Sequence, residues 1–105
     1  MGKFQRDKGN RIERELINRL KDSGIDAKRV PLSGMCEGFK GDIVLVANGK
    51  DLVAEVKSRA QASGWRTVKV WLGDNDLLFL REDREKDPLV VMRWEQFLEF
   101  IGVTR

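Results

Sequence analysis

Three polar residues in the middle of this 105-residue chain, Asp42, Glu55 and Lys57, have types and spacing that could do chemistry together. Two neighbouring carboxylates repel one another unless a proton or a cation joins them, and oxygen donors of this kind suit a hard divalent ion. Lys57 follows Glu55 at a spacing that points both side chains the same way along a strand. Glu13 is a further candidate, carried by a helix. The chain has no histidine and one cysteine, Cys36. An intrachain disulfide, the usual cysteine/histidine zinc sites and histidine-assisted nucleophiles are therefore excluded. Any metal must sit on carboxylate oxygens, and Cys36 reads as a structural thiol.

The elements that must position these residues can be read from periodicity. Residues 42–47 and 52–58 form two strands rich in Val, Ile and Leu, joined across Asn48-Gly49, a strong short-range hairpin signal. With a two-residue loop, Ala47 opposes Lys50, and counting back puts Asp42 opposite Glu55. A four-residue loop would put Asp42 opposite Lys57 instead. Either register gathers two carboxylates and an ammonium on one face.

Residues 8–23 should be a helix, because Ile12, Leu16, Ile17 and Leu20 recur at helical spacing and Gly24 stands where a C-terminal cap belongs. On a wheel these apolar residues span an arc from about 120° to about 260°, and Glu13 falls near about 220°, inside it. A core-facing carboxylate is costly without a partner. Arg11, Arg14 and Lys21 fall on the opposite side, towards solvent or phosphate.

A short strand over residues 27–31 and a loop over residues 32–41 with three glycines precede the hairpin. Residues 61–72 favour a helix over a strand: Trp65, Val68 and Leu72 share one helical face, with Ser63 before them and Gly73 after. Residues 77–81 and 89–92 read as a strand pair across the charged stretch 82–88. Trp94, Phe97, Leu98 and Ile101 give the last helix an apolar stripe. The order αβββαββα, with local hairpins, implies a single domain of α+β or α/β class, a sheet flanked by helices.

The formal charge is +3, with Lys and Arg concentrated in the N-terminal third. Such a run is most often a solvated helix face, and otherwise a phosphate-contacting surface. No apolar run approaches the roughly 20 residues of a membrane span, and the N-terminus lacks a secretory core, so an intracellular, cytoplasmic protein is expected.

The arrangement resembles the PD-(D/E)-x-K nuclease superfamily and, within it, the archaeal-type Holliday junction resolvases. The resemblance runs through Lys8-Gly9-Asn10-Arg11-Ile12-Glu13-Arg14-Glu15-Leu16, Lys28-Arg29-Val30, Ser33-Gly34, Asp42-Ile43-Val44 and Glu55-Val56-Lys57. The "PD" dipeptide is Gly41-Asp42 here. The resemblance implies a restriction-endonuclease-like central mixed sheet and a prokaryotic, archaeal or phage setting. It also implies a Mg²⁺-dependent endonuclease, with Mn²⁺ as a substitute, acting on DNA, including four-way junctions, as a homodimer. Glu13, Asp42, Glu55 and Lys57 would be catalytic, and Asp42, Glu55, the Val56 carbonyl and Glu13 would hold metal. Arg14, Arg29 and Ser33 would match residues that serve DNA handling in that family, and, as basic residues, Lys8, Arg11 and Arg59 join Arg14 and Arg29 as candidates for phosphate contacts. Trp65, Val68, Trp71 and Leu72 could furnish the apolar contact of the dimer, although aromatic residues at such spacing are more often core. Other readings are the same site acting on flaps, mismatches, nicks or duplex, a DNA-binding module without chemistry, and a basic scaffold with a surface ion-pair cluster. A binding module has no need of a buried Glu13 facing Asp42 and Glu55.

Overall fold

The computed structural model describes residues 3–30, 42–61 and 64–102. Their elements run α1 (Lys3–Asp22), β1 (Ala27–Arg29), β2 (Ile43–Ala47), β3 (Lys50–Arg59), α2 (Gly64–Leu72), β4 (Leu77–Glu82), β5 (Leu89–Val91) and α3 (Trp94–Phe100). The strands form one mixed sheet in the order β1-β2-β3-β4-β5, the mixed α+β architecture expected from the order of elements.

The turn between β2 and β3 has φ of 55° at Asn48 and 76° at Gly49. Positive φ at both central residues is the type I′ geometry, whose twist matches that of the flanking strands. Pairing begins at once, Ala47 with Lys50, and continues to Ile43 with Ala54. The two-residue loop is thus the one adopted, and β3 starts at Lys50, earlier than the apolar pattern alone indicates.

α1 also starts earlier, at Lys3. The polar turns before Ile12 carry no hydrophobic period, so nothing in the pattern announces them. At its other end the helix stops at Gly24, which takes a left-handed φ of 87°. α2 is helical, as the spacing of Trp65, Val68 and Leu72 predicts.

The connection through α2 makes β4 a parallel neighbour of β3, pairing Lys57 with Leu80 and Arg59 with Glu82. A strand order built from local hairpins does not show this crossover. It sets the C-terminal ends of β3 and β4 side by side, with Lys57 near that end. β4 and β5 pair antiparallel, as expected.

The core forms where Leu16 and Ile17 of α1 meet Ile43, Leu45, Leu52, Ala54, Leu77 and Phe79 of the sheet. Phe100 of α3 packs against it, but Trp94, Phe97 and Ile101 remain exposed. The last helix therefore leaves most of its apolar stripe unburied within the chain. On α2, Leu72 is buried while Trp65 is 85% exposed. Among the described residues no helix is long and apolar enough to cross a membrane.

Candidate active site

Asp42 is held from both sides. Its backbone N–H donates to the Ala54 carbonyl at 2.9 Å, and its own carbonyl accepts from the Val30 N–H at 2.9 Å. Its carboxylate then replaces a ladder partner on β3: the Val56 N–H donates to Asp42 Oδ2 at 2.9 Å. Val56 is the residue between Glu55 and Lys57, so this bond fixes Asp42 beside the Glu-x-Lys motif. Asp42 and Glu55 come close enough for their carboxyl groups to share a hydrogen bond.

That contact has an electrostatic price. Burial, the hydrogen bond with Asp42 and the negative charge of Asp42 push the Glu55 carboxyl from 4.5 up to about 8, with Lys57 opposing the shift and Glu13 adding to it. The Glu13 carboxyl is raised as well, first by burial and then by Asp42, against the opposing charge and hydrogen bond of Arg29. Two carboxylates pressed together in a partly buried cleft favour either a retained proton or a cation. Their oxygens, with the backbone carbonyl of Val56 nearby in the chain, are hard donors that fit a divalent ion such as Mg²⁺ or Mn²⁺. Among the described residues no group of three acidic side chains forms a ready-made cation cage. Glu13 is instead tied to Arg29, whose Nε lies 3.2 Å from Glu13 Oε1. The wheel placed Glu13 towards the core, and its side chain is only 15% exposed.

A stability prediction follows from Glu55. Without metal the folded state keeps a proton that the unfolded chain releases as pH passes 4.5, so stability falls between pH 4.5 and about 8 and levels off above. Partial exposure screens the effect to on the order of 1–2 kcal/mol. Thermal melts in EDTA across this range should show the decline in wild type and a smaller one in Glu55→Gln. Equal slopes in the two proteins would contradict this assignment.

The cleft has a volume of about 420 Å³ and is lined by Glu13, Asp42, Glu55, Val56 and Lys57, together with Lys8, Ser58, Arg59 and Asp83. All four residues expected to be catalytic therefore open onto one space. The expected DNA-binding residues divide. Lys8 and Arg59 line the cleft, but Lys8 is bonded to Asp83 at 2.8 Å. The Arg59 guanidinium lies 5.7 Å from the centre of the Trp71 ring and donates to the Ser58 carbonyl at 2.9 Å. Arg29 is turned inward, to Glu13 and to Asn10 Oδ1 at 2.8 Å. Arg11 and Arg14 are exposed on α1, and Ser33 lies outside the described residues. Sequence reasoning missed Ser58, Arg81 and Asp83. They lie within or beside charged stretches that read as strand ends and turns, with no local pattern linking them to Lys8.

A mixed sheet whose central hairpin presents Asp42 and Glu55-x-Lys57, with a helical glutamate across the cleft, defines a PD-(D/E)-x-K-type nuclease. The model of the archaeal Holliday junction resolvase (Hjc) family matches residues 4–100, so the chain belongs to that family. A structure-selective nuclease role on DNA comes with the membership. Among solved structures, the chain is similar to Archaeoglobus fulgidus Hjc, a Holliday junction resolvase from an archaeal hyperthermophile. The identity is 26% and the TM-score 0.56, over 78% of this chain and 73% of that one.

Proposed function

We infer that this chain is a Mg²⁺-dependent endonuclease that cuts four-way DNA junctions as a homodimer, hydrolysing one phosphodiester in each of two strands. The observation that carries this reading is the Asp42 carboxylate bonded to the Val56 N–H at 2.9 Å, which seats it against Glu55 and beside Lys57. Asp42 and Glu55, with the Val56 carbonyl, would hold the divalent ion, and Glu13 would act on its water or complete its shell. Such an ion supplies Lewis acidity towards the phosphate and lowers the pKa of a nearby water.

The chain's own residues do the rest. Lys57 presents its ammonium to the phosphate and offsets the charge that builds on it in the transition state. Glu13, oriented by Arg29, accepts hydrogen bonds from water at the cleft. Water adds across a phosphorus–oxygen bond, leaving one strand end with phosphate and the other with hydroxyl. Arg11, Arg14 and Arg59 contact neighbouring phosphates, which positions the DNA without reading its sequence. A four-way junction offers equivalent strands, which a two-fold dimer matches. The exposed Trp65, Trp94 and Phe97 supply apolar surface for one.

The test is cleavage of a labelled synthetic four-way junction beside duplex, flap and single-stranded DNA, with Mg²⁺ or EDTA. Paired symmetric cuts in the junction alone, lost in EDTA, support the reading. Cutting mainly of the other substrates leaves a nuclease but removes the junction. DNA binding with no cleavage in Mg²⁺ or Mn²⁺ would make the chain a binding module.

A further inference from the structure

Lys8, assigned to phosphate by its place in a basic helix, has a different partner in the fold. Its Nζ donates to Asp83 Oδ1 at 2.8 Å and lies 3.5 Å from the Ser58 carbonyl. The Ser58 hydroxyl donates to the same Asp83 oxygen at 2.9 Å and receives a longer bond from Arg81 at 3.4 Å. The Asp83 backbone N–H donates to the Arg59 carbonyl at 2.8 Å. One carboxylate thus ties together the start of α1, the end of β3 and the segment just past β4.

Both residues of this pair are only about a third exposed, at 28% and 30%. By contrast, the Arg19–Asp87 and Lys50–Glu99 pairs are exposed by half or more on each side, where water and salt weaken an ion pair most. Ser58, at 6% exposure, is a buried polar residue whose hydroxyl is satisfied by this cluster. Two cations, Lys8 and Arg81, converge on the one carboxylate and its serine hydroxyl, and the Asp83 carboxyl is held below its ordinary value by Lys8 and Ser58.

We propose that Asp83 and Lys8 form a clamp that positions Lys57 and Glu13 for the reaction, Asp83 and Lys8 being positioning residues and Lys8 not a DNA contact. Ser58 immediately succeeds Lys57, so fixing Ser58 to Asp83 fixes the direction in which Lys57 leaves the strand. Lys8 lies five residues before Glu13 on the same helix, so holding it sets the roll and height at which Glu13 enters the cleft. Asp42 anchors β3 from the hairpin side, at Val56 and Ala54. The clamp anchors it from the other side, across β4. Small displacements of catalytic groups lower rates steeply. This proposal rests on the nuclease reading above.

The experiment compares Lys8→Gln, Asp83→Asn and the double variant by single-turnover cleavage of a saturating four-way junction in Mg²⁺. DNA affinity is measured in parallel at several salt concentrations. Each single variant should cut roughly 10- to 100-fold more slowly, with DNA affinity and its salt dependence unchanged. The double variant should be no slower than the slower single, because both substitutions break one bond. Asp83→Glu, which keeps the charge, should recover part of the rate, and it carries the test if Asp83→Asn melts below the assay temperature. If Lys8→Gln weakens DNA binding and flattens its salt slope by about one ion, Lys8 is a phosphate contact and the clamp is wrong. Full activity in Asp83→Asn, or multiplying losses in the double variant, would also overturn it. Inactive wild type in Mg²⁺ and Mn²⁺ would remove the nuclease reading itself and the clamp's role with it.

Discussion

Asp42→Asn should abolish cleavage by at least about 10³-fold, the loss expected when several kcal/mol of transition-state charge stabilisation disappear. The substitution separates chemistry from folding unusually well. The side-chain oxygen of asparagine can still accept from the Val56 N–H, now at 2.9 Å to Asp42, so the strand junction is kept. The negative charge that presses on Glu55 is removed at the same time, so the metal-free variant should melt at or above the wild-type temperature. A melting curve and a junction-cleavage assay on the same preparation check both halves. A folded Asp42→Asn protein cutting within tenfold of wild type would displace Asp42 from the reaction.

Lys57→Met should lower the single-turnover rate by about 10²–10³-fold, the usual loss when one charged or hydrogen-bonding group aimed at developing charge is removed. Methionine retains much of the apolar stem and removes only the cation, so the change in packing is small. The ammonium also opposes the upward shift at Glu55. Its removal should therefore strengthen proton retention by Glu55 and weaken binding of Mg²⁺. Measuring the rate at saturating Mg²⁺ separates the two contributions: a deficit that persists there belongs to the transition state, and one that vanishes belongs to metal binding alone.

Much of this site was legible before any tertiary information. The Asn48-Gly49 dipeptide specifies a type I′ turn through the left-handed backbone both residues tolerate. Once that loop length is chosen, strand alternation places Asp42 against Glu55 and keeps Lys57 on their side. The place of Glu13 on the cleft was legible because a carboxylate inside an apolar helical arc contradicts the pattern around it, and such contradictions are where functional positions are sought. What could not be read was which cations serve the cleft and which serve the fold. Arg29 and Lys8 look alike in a basic sequence, yet one is paired with Glu13 and the other with Asp83.

By itself, the sequence narrowed the class of chemistry. With no histidine and a lone cysteine it left carboxylates and lysine as the candidate groups, and its local periods indicated the helices, the hairpin and the register that gathers them. The tertiary structure alone decided the parallel pairing of β3 with β4, the inward turn of Arg29, the unburied stripe on α3, and the bond from Lys8 to a residue 75 positions away. The physical reason is range. Turn geometry and side-chain alternation act over a few residues and are written in neighbouring letters, whereas the partner of a long charged side chain depends on which distant backbone the whole fold brings within about 3 Å of it.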